Sequence, residues 1–184
     1  MKVSSSQIIP DVKTIIPDRF EDERGWFSEQ YHFPRYVEAG ISFAVSQDNV
    51  SSSNRGVVRG LHWQDVPYCQ AKLVRMLHGA IFDVAVDIRL NSPTYGLYVA
   101  EVLSADNGKQ HYIPRGFAHG FMSLEDGSVC SFFCDAVYNA ESRRGVRYDD
   151  PILNIGWPKD VGPVIVSGKD KNLPGFLDVV PLVV

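Results

Sequence analysis

Apolar and polar residues alternate with a period of two through the middle of the chain, and that period predicts strands rather than helices. Ala71 to His78 alternates, Gly79 turns the chain, and Ala80 to Ile88 alternates back, the pattern of two strands joined by a tight glycine turn. Leu97 to Leu103 reads as a third strand. The turn-rich run Ser104-Ala105-Asp106-Asn107-Gly108-Lys109 ends it, and Gln110 to Ile113 resumes as a fourth. Val129 to Val137 gives a fifth, rich in aromatics. Helical signals are weak: Pro34 to Ala39 fits one or two turns ended by Gly40. Five of the eleven prolines fall from Pro151 onward, so the tail is expected to wrap the body rather than build long elements.

Many short strands, with no repeat, low-complexity stretch or linker, predict an all-β fold. The expectation is an antiparallel jelly-roll barrel with short helical turns and a C-terminal wrap, residues 1–184 forming one domain. Such a barrel can hold one small ligand in its mouth. Composition narrows the use. A net charge of −4 argues against a nucleic-acid surface. The sequence shows neither a charged-then-apolar leader nor an apolar run of membrane-spanning length. Three cysteines (Cys69, Cys130 and Cys134) form no CxxC pair and are odd in number, which predicts free thiols in a reducing cytoplasm.

Candidate chemistry centres on Gly56-Val57-Val58-Arg59-Gly60-Leu61-His62-Trp63-Gln64. Strict alternation would put Val58, Gly60, His62 and Gln64 on one face, and Arg59, Leu61 and Trp63 on the other. An inward histidine with a large aromatic behind it suits a general base in a lined pocket. It equally suits a core histidine bonded to a carbonyl. Lys72 follows on the next strand, either facing a carbonyl oxygen or solvated. Ile113-Pro114-Arg115-Gly116-Phe117-Ala118-His119-Gly120-Phe121 reads as a proline-and-glycine corner carrying a second histidine. Pro114-x-Gly116-x-x-His119 matches half of the metal-binding pattern of the cupins, a family of jelly-roll barrels. The other half needs a His-x-His pair and a glutamate, whereas His62 is followed by Trp63 and Gln64. One histidine cannot build a three-ligand site, so no metal is expected. Ser167-Gly168-Lys169-Asp170 alone reads as a charged surface loop.

Taken together and in order, these stretches resemble the dTDP-4-dehydrorhamnose 3,5-epimerases, cupin-fold enzymes of nucleotide-sugar metabolism. The likeness runs from about Ile9 to Leu173 and includes Phe20-Glu21-Asp22-Glu23-Arg24-Gly25-Trp26-Phe27, Gln47-Asp48-Asn49, Lys72-Leu73-Val74-Arg75 and Asp149-Asp150-Pro151. The resemblance implies an isomerase that needs no cofactor and removes a proton beside the ketone of a 4-keto-6-deoxy nucleotide sugar. His62 would be the base, Asp170 its partner that strengthens it, and Lys72 the group facing the carbon 4 ketone. A weakly acidic carbon needs both a base and an enolate stabiliser, so the residue types fit. Arg59 and His119 resemble residues that hold the diphosphate or line the sugar pocket. Phe20 and Tyr138 resemble an aromatic pair around the pyrimidine. Arg24, Glu29, Gln47 and Asn49 match further nucleotide positions, some shared across a homodimer interface in the family.

One position departs. Aligned without gaps from Gly116, the family's catalytic tyrosine, the acid that reprotonates the opposite face, falls on Phe132. A phenyl ring cannot donate a proton. This keeps two other readings open: a carbon 3 epimerase or 3,4-ketoisomerase on a related sugar nucleotide, and a non-catalytic nucleotide-sugar-binding barrel.

Overall fold

The computed structural model describes all 184 residues. Its elements are β1 (Lys2–Ser5), β2 (Lys13–Ile16), β3 (Phe20–Asp22), β4 (Gly25–Phe27), α1 (Phe33–Glu38), β5 (Gln47–Ser53), β6 (Val57–Gln64), β7 (Lys72–His78) and β8 (Ala80–Asp87). They continue with β9 (Tyr98–Ser104), β10 (Gln110–Ile113), β11 (Phe117–Ser123), β12 (Ser128–Cys134), β13 (Arg143–Gly145), β14 (Ile165–Val166) and the one-turn α2 (Gly168–Lys171). No helix is long and apolar enough to cross a membrane.

Two antiparallel sheets face each other, in the order β1-β2-β10-β7-β12-β5 and β13-β6-β11-β8-β9. The expected jelly-roll architecture is therefore present. The tail adds a strand the periodicity did not predict: β14 pairs in parallel with β6, Ile165 beside Val57. The hairpin β3–β4 stands apart from both sheets, with Phe20, Trp26 and Phe27 exposed.

Alternation decides what fills each layer. On β8, Ile81 and Ala85 turn inward with Val74, Met76, Ile113, Phe117, Phe121 and Cys130 to form the core between the sheets. Val84, Val86 and Ile88 turn outward, where the tail covers them with Leu153, Phe176 and Leu182. Tail wrapping thus buries the second face of that sheet, and β8 is apolar on both sides because both are covered. The first sheet is backed by Tyr36 of α1 and by Ile41 and Phe43.

Two expectations are corrected. The stretch read as a proline-and-glycine corner is strand β11 from Phe117, buried at all seven positions. Strict alternation also fails in β6, where Arg59 and His62 line the same cavity. The β6–β11 register shifts between His119 and Phe121, a bulge that re-aims side chains. Gly60 has φ of 115°, and a Cβ there would lie 2.6 Å from the Gly120 Cα, so glycine is required for this close approach.

Candidate active site

Between the open edges of the sheets lies a cavity of about 740 Å³, within the size range of small-molecule sites. His62 from β6 and Asp170 from α2 meet at its wall, Nε2 to Oδ1 2.7 Å apart. Ser167 caps α2 by accepting from the Asp170 N–H, and β14 lays the preceding residues against β6, so the tail delivers the carboxylate to the histidine. Burial pushes the Asp170 carboxyl up, but the hydrogen bond and charge of His62, with the Gly60 N–H and Arg143, outweigh it and hold it below the usual carboxylate range. With the Nε2 proton donated to Asp170, His62 Nδ1 keeps a lone pair and has no protein partner.

Arg143 is a site residue the sequence reading missed. It lies on β13, which pairs with β6 so that Gly145 faces His62. Its Nη2 is 2.7 Å from His62 Nε2 and 3.1 Å from Asp170 Oδ1. Two N–H donors cannot bond to each other, so both share the Asp170 oxygen. Within a polar run holding two adjacent arginines, nothing marked Arg143 as inward.

The opposite sheet contributes Lys72 from β7 and Phe132 and Cys134 from β12, with Cys134 directly beside Lys72 in register. Lys72 Nζ lies 3.4 Å from His119 Nδ1. Desolvation lowers the Lys72 pKa, and the neighbouring Cys134 and Asp83 only partly restore it. His119 is likewise pushed down by burial, against the pull of Asp83. At the mouth, Arg59 is held by Ser53 Oγ and the Ser52 carbonyl at 3.1 and 2.9 Å. Gln47 donates to Asn49 Oδ1 (2.8 Å) and accepts from the Tyr138 N–H (2.7 Å). No group of three or more His, Cys, Asp or Glu is arranged to hold a metal ion.

Nine of the twelve anticipated positions therefore line one cavity: His62, Asp170, Lys72, Phe132, Arg59, His119, Gln47, Asn49 and Tyr138. Phe20, Arg24 and Glu29 do not. Phe20 is exposed on β3, Arg24 is bonded to Asp22, and Glu29 is paired with Arg35 at 2.7 Å. Within one chain their side chains are separate from the cavity.

Comparison with known proteins places this geometry. The family model for dTDP-4-dehydrorhamnose 3,5-epimerase matches residues 6–178. A dTDP-4-dehydrorhamnose 3,5-epimerase from Sinorhizobium fredii is 46% identical over 171 residues, 92% of this chain and 87% of the relative. A dTDP-4-dehydrorhamnose 3-epimerase from Streptomyces niveus is 39% identical over 165 residues, 89% of this chain and 79% of the relative. Among solved structures, a dTDP-6-deoxy-D-glucose-3,5-epimerase from Legionella pneumophila in complex with dTDP-4-keto-L-rhamnose superposes with a TM-score of 0.92 at 42% identity, covering 97% of this chain and 94% of that one. With the barrel, the cavity and the sequence in agreement over nearly its whole length, the chain belongs to the dTDP-4-dehydrorhamnose 3,5-epimerase family of isomerases.

Proposed function

We propose that this epimerase works with His62 as the base that removes the proton beside the ketone of a dTDP-linked 4-keto-6-deoxy sugar, and with Lys72 as the cation that steadies the resulting enolate. The observation that carries this reading is the placement of the two groups on opposite sheets of one cavity, each with its own buried carboxylate behind it: Asp170 for His62, and Asp83 for Lys72 through His119. As His62 takes the proton it becomes a cation, and Asp170 and the solvated cavity mouth balance it. The enolate oxygen develops its charge where Lys72 supplies a hydrogen bond in a site shielded from water. Arg59 and Arg143 offer guanidinium forks for the diphosphate and the dyad respectively, while Tyr138, Gln47 and Asn49 form the nucleotide side.

Phe132 favours a second reading in which only carbon 3 is inverted. Its ring lines the cavity but offers no acid. Heavy-water incubation with dTDP-4-keto-6-deoxyglucose separates the two: deuterium at both carbons 3 and 5 supports double inversion, at carbon 3 alone the single-centre enzyme. No exchange at either carbon refutes the catalytic assignment.

The reading extends to assembly. Residues 1–184 act as one domain, and two copies pair so that the exposed β3–β4 hairpin brings Phe20 and Arg24, and the nearby Glu29, to the partner's cavity. Exposed aromatics on an unpaired two-stranded hairpin are the feature that supports this. The three buried free thiols fit a reducing compartment. A solution mass measurement giving a monomer at micromolar concentration refutes the paired arrangement.

A further inference from the structure

Behind Lys72, the barrel interior holds three more titratable side chains in a continuous hydrogen-bonded array. His119 Nε2 on β11 is 2.7 Å from Asp83 Oδ1 on β8. The other oxygen, Asp83 Oδ2, is 2.8 Å from Nδ1 of His111, which comes from β10 in the facing sheet. Asp83 and His111 are fully buried, and His119 is 6% exposed.

The hydrogen-bond directions in this array follow from the charge of its two ends and from donor and acceptor capacity. An ammonium group only donates, so His119 Nδ1 accepts from Lys72 and the ring's single proton is on Nε2. Asp83 is ionised: burial raises its pKa, but the two histidines, His119 foremost, more than reverse the effect. It therefore accepts on both oxygens, and His111 donates to it through Nδ1–H. The His119 imidazole thus stands between the Lys72 ammonium and the Asp83 carboxylate.

His111 is costly in this position. Its Nε2 is buried and no protein atom hydrogen-bonds to it, so an imidazole is a costlier core residue here than an aliphatic side chain. The next inward residue of the same strand, Ile113, is aliphatic and belongs to the core. All that His111 makes in return is the one bond to Asp83. We propose that His111 is a positioning residue for the enolate-stabilising lysine. By occupying Oδ2 it fixes the Asp83 carboxylate, which selects the His119 tautomer whose Nδ1 holds and aims the Lys72 ammonium. This rests on the reading of Lys72 given above.

The test compares His111→Leu, which deletes the donor, with His111→Asn, which replaces the Nδ1–H by an amide N–H. Partners that orient a metal-bound histidine through its far nitrogen contribute about 10- to 100-fold, and a partner that orients a lysine through a histidine is taken to act on the same scale. The Leu variant is expected to lose about that much of kcat, with KM and dTDP affinity nearly unchanged, because Lys72 is needed chiefly in the transition state. The Asn variant is expected to recover most of the loss. Wild-type kcat in the Leu variant overturns the proposal, and so does loss of kcat together with dTDP binding, which reports a collapsed pocket instead. Lys72→Met run in parallel separates the two layers. If it remains fully active, the reading of Lys72 fails; if it is inactive while His111→Leu is unaffected, only the role of His111 fails. Long-range ¹⁵N–¹H spectra of the wild-type imidazoles need no variant that folds: they must show Nε2–H at His119 and Nδ1–H at His111, and the opposite tautomer at either ring overturns the array.

Discussion

Restoring one oxygen at Phe132 tests how this site returns a proton to the sugar. The ring sits on β12 between Asn49 of β5 and Val74 of β7 in register, half-buried, with one side on the core between the sheets and the other on the cavity. A hydroxyl acting as general acid contributes about 100- to 10,000-fold, and the lower limit corresponds to about 2.7 kcal/mol of barrier. Carbons 3 and 5 flank the ketone on different sides, so one fixed hydroxyl cannot serve both equally. Phe132→Tyr is expected to raise exchange at carbon 5 by about a hundredfold or more and to change carbon 3 much less. The oxygen has two possible surroundings, and stability distinguishes them. Facing the cavity it stays wet and leaves stability nearly unchanged. Turned toward Val74 and the core it would be buried unpaired, costing about 1–3 kcal/mol; at about 2–4 °C per kcal/mol for a chain of this size, that is a fall of several degrees in Tm. Deuterium incorporation followed by NMR at each carbon, alongside calorimetry, reads both quantities. Equal wild-type rates at the two carbons, unchanged in the variant at unchanged Tm, would show that another group or water already supplies the proton.

Other outcomes follow from the same site. His62→Ala should abolish exchange at every sugar carbon while dTDP affinity, measured by calorimetry, stays close to wild type; Asp170→Asn should be less severe, since it removes the charge that balances the imidazolium but leaves the base. Gly60→Ala should cost about 3 kcal/mol or more, because its Cβ would meet the β11 backbone at 2.6 Å with φ at 115°; denaturant unfolding checks this. Burial holds Lys72 below the ordinary lysine range, so its charge is lost as pH rises through that lowered value. The alkaline limb of kcat/KM should therefore lie below about 10.4, and a limb at or above that value would sink the assignment. Across the same window the unfolded chain binds the extra proton, so this group makes stability rise with pH.

Local signals were readable wherever pattern and punctuation agreed. The β7–β8 hairpin shows itself by alternation on either side of Gly79, and β10 by a turn-rich break before it. Strands hidden from the pattern were hidden for physical reasons. Strand β11 is buried at every position and so does not alternate. Strand β5 is mostly polar and is held by its pairing along β12. The two residues of β14 are too few for any period. In the cavity, resemblance to relatives marked His62, Lys72 and Asp170. Arg143 became visible only when β13 was paired with β6, and the Asp83–His111 contact only when the two sheets were stacked face to face. The alternation rule misplaced Arg59 relative to His62 because a bulge is a property of two strands together, and neither strand alone announces it.

His62 and Asp170 are separated by 108 positions, and the carboxylate arrives on a two-residue strand and a single helical turn. At a synthesis rate of about 5–20 residues per second, the histidine waits several seconds or more for its partner after leaving the ribosome. Apart from Gln70 and Tyr138 on loops, the rest of the cavity lining stands on the two sheets, so most of the wall exists before the carboxylate reaches the histidine. The same thin attachment persists in the finished molecule. Fraying of the segment from Ile165 to Lys171 breaks few contacts compared with opening either sheet, which makes it a low-energy opening. Each such excursion would separate His62 from Asp170 while leaving the sheets paired, so the contact between them depends on the docking of this short segment as well as on the fold as a whole.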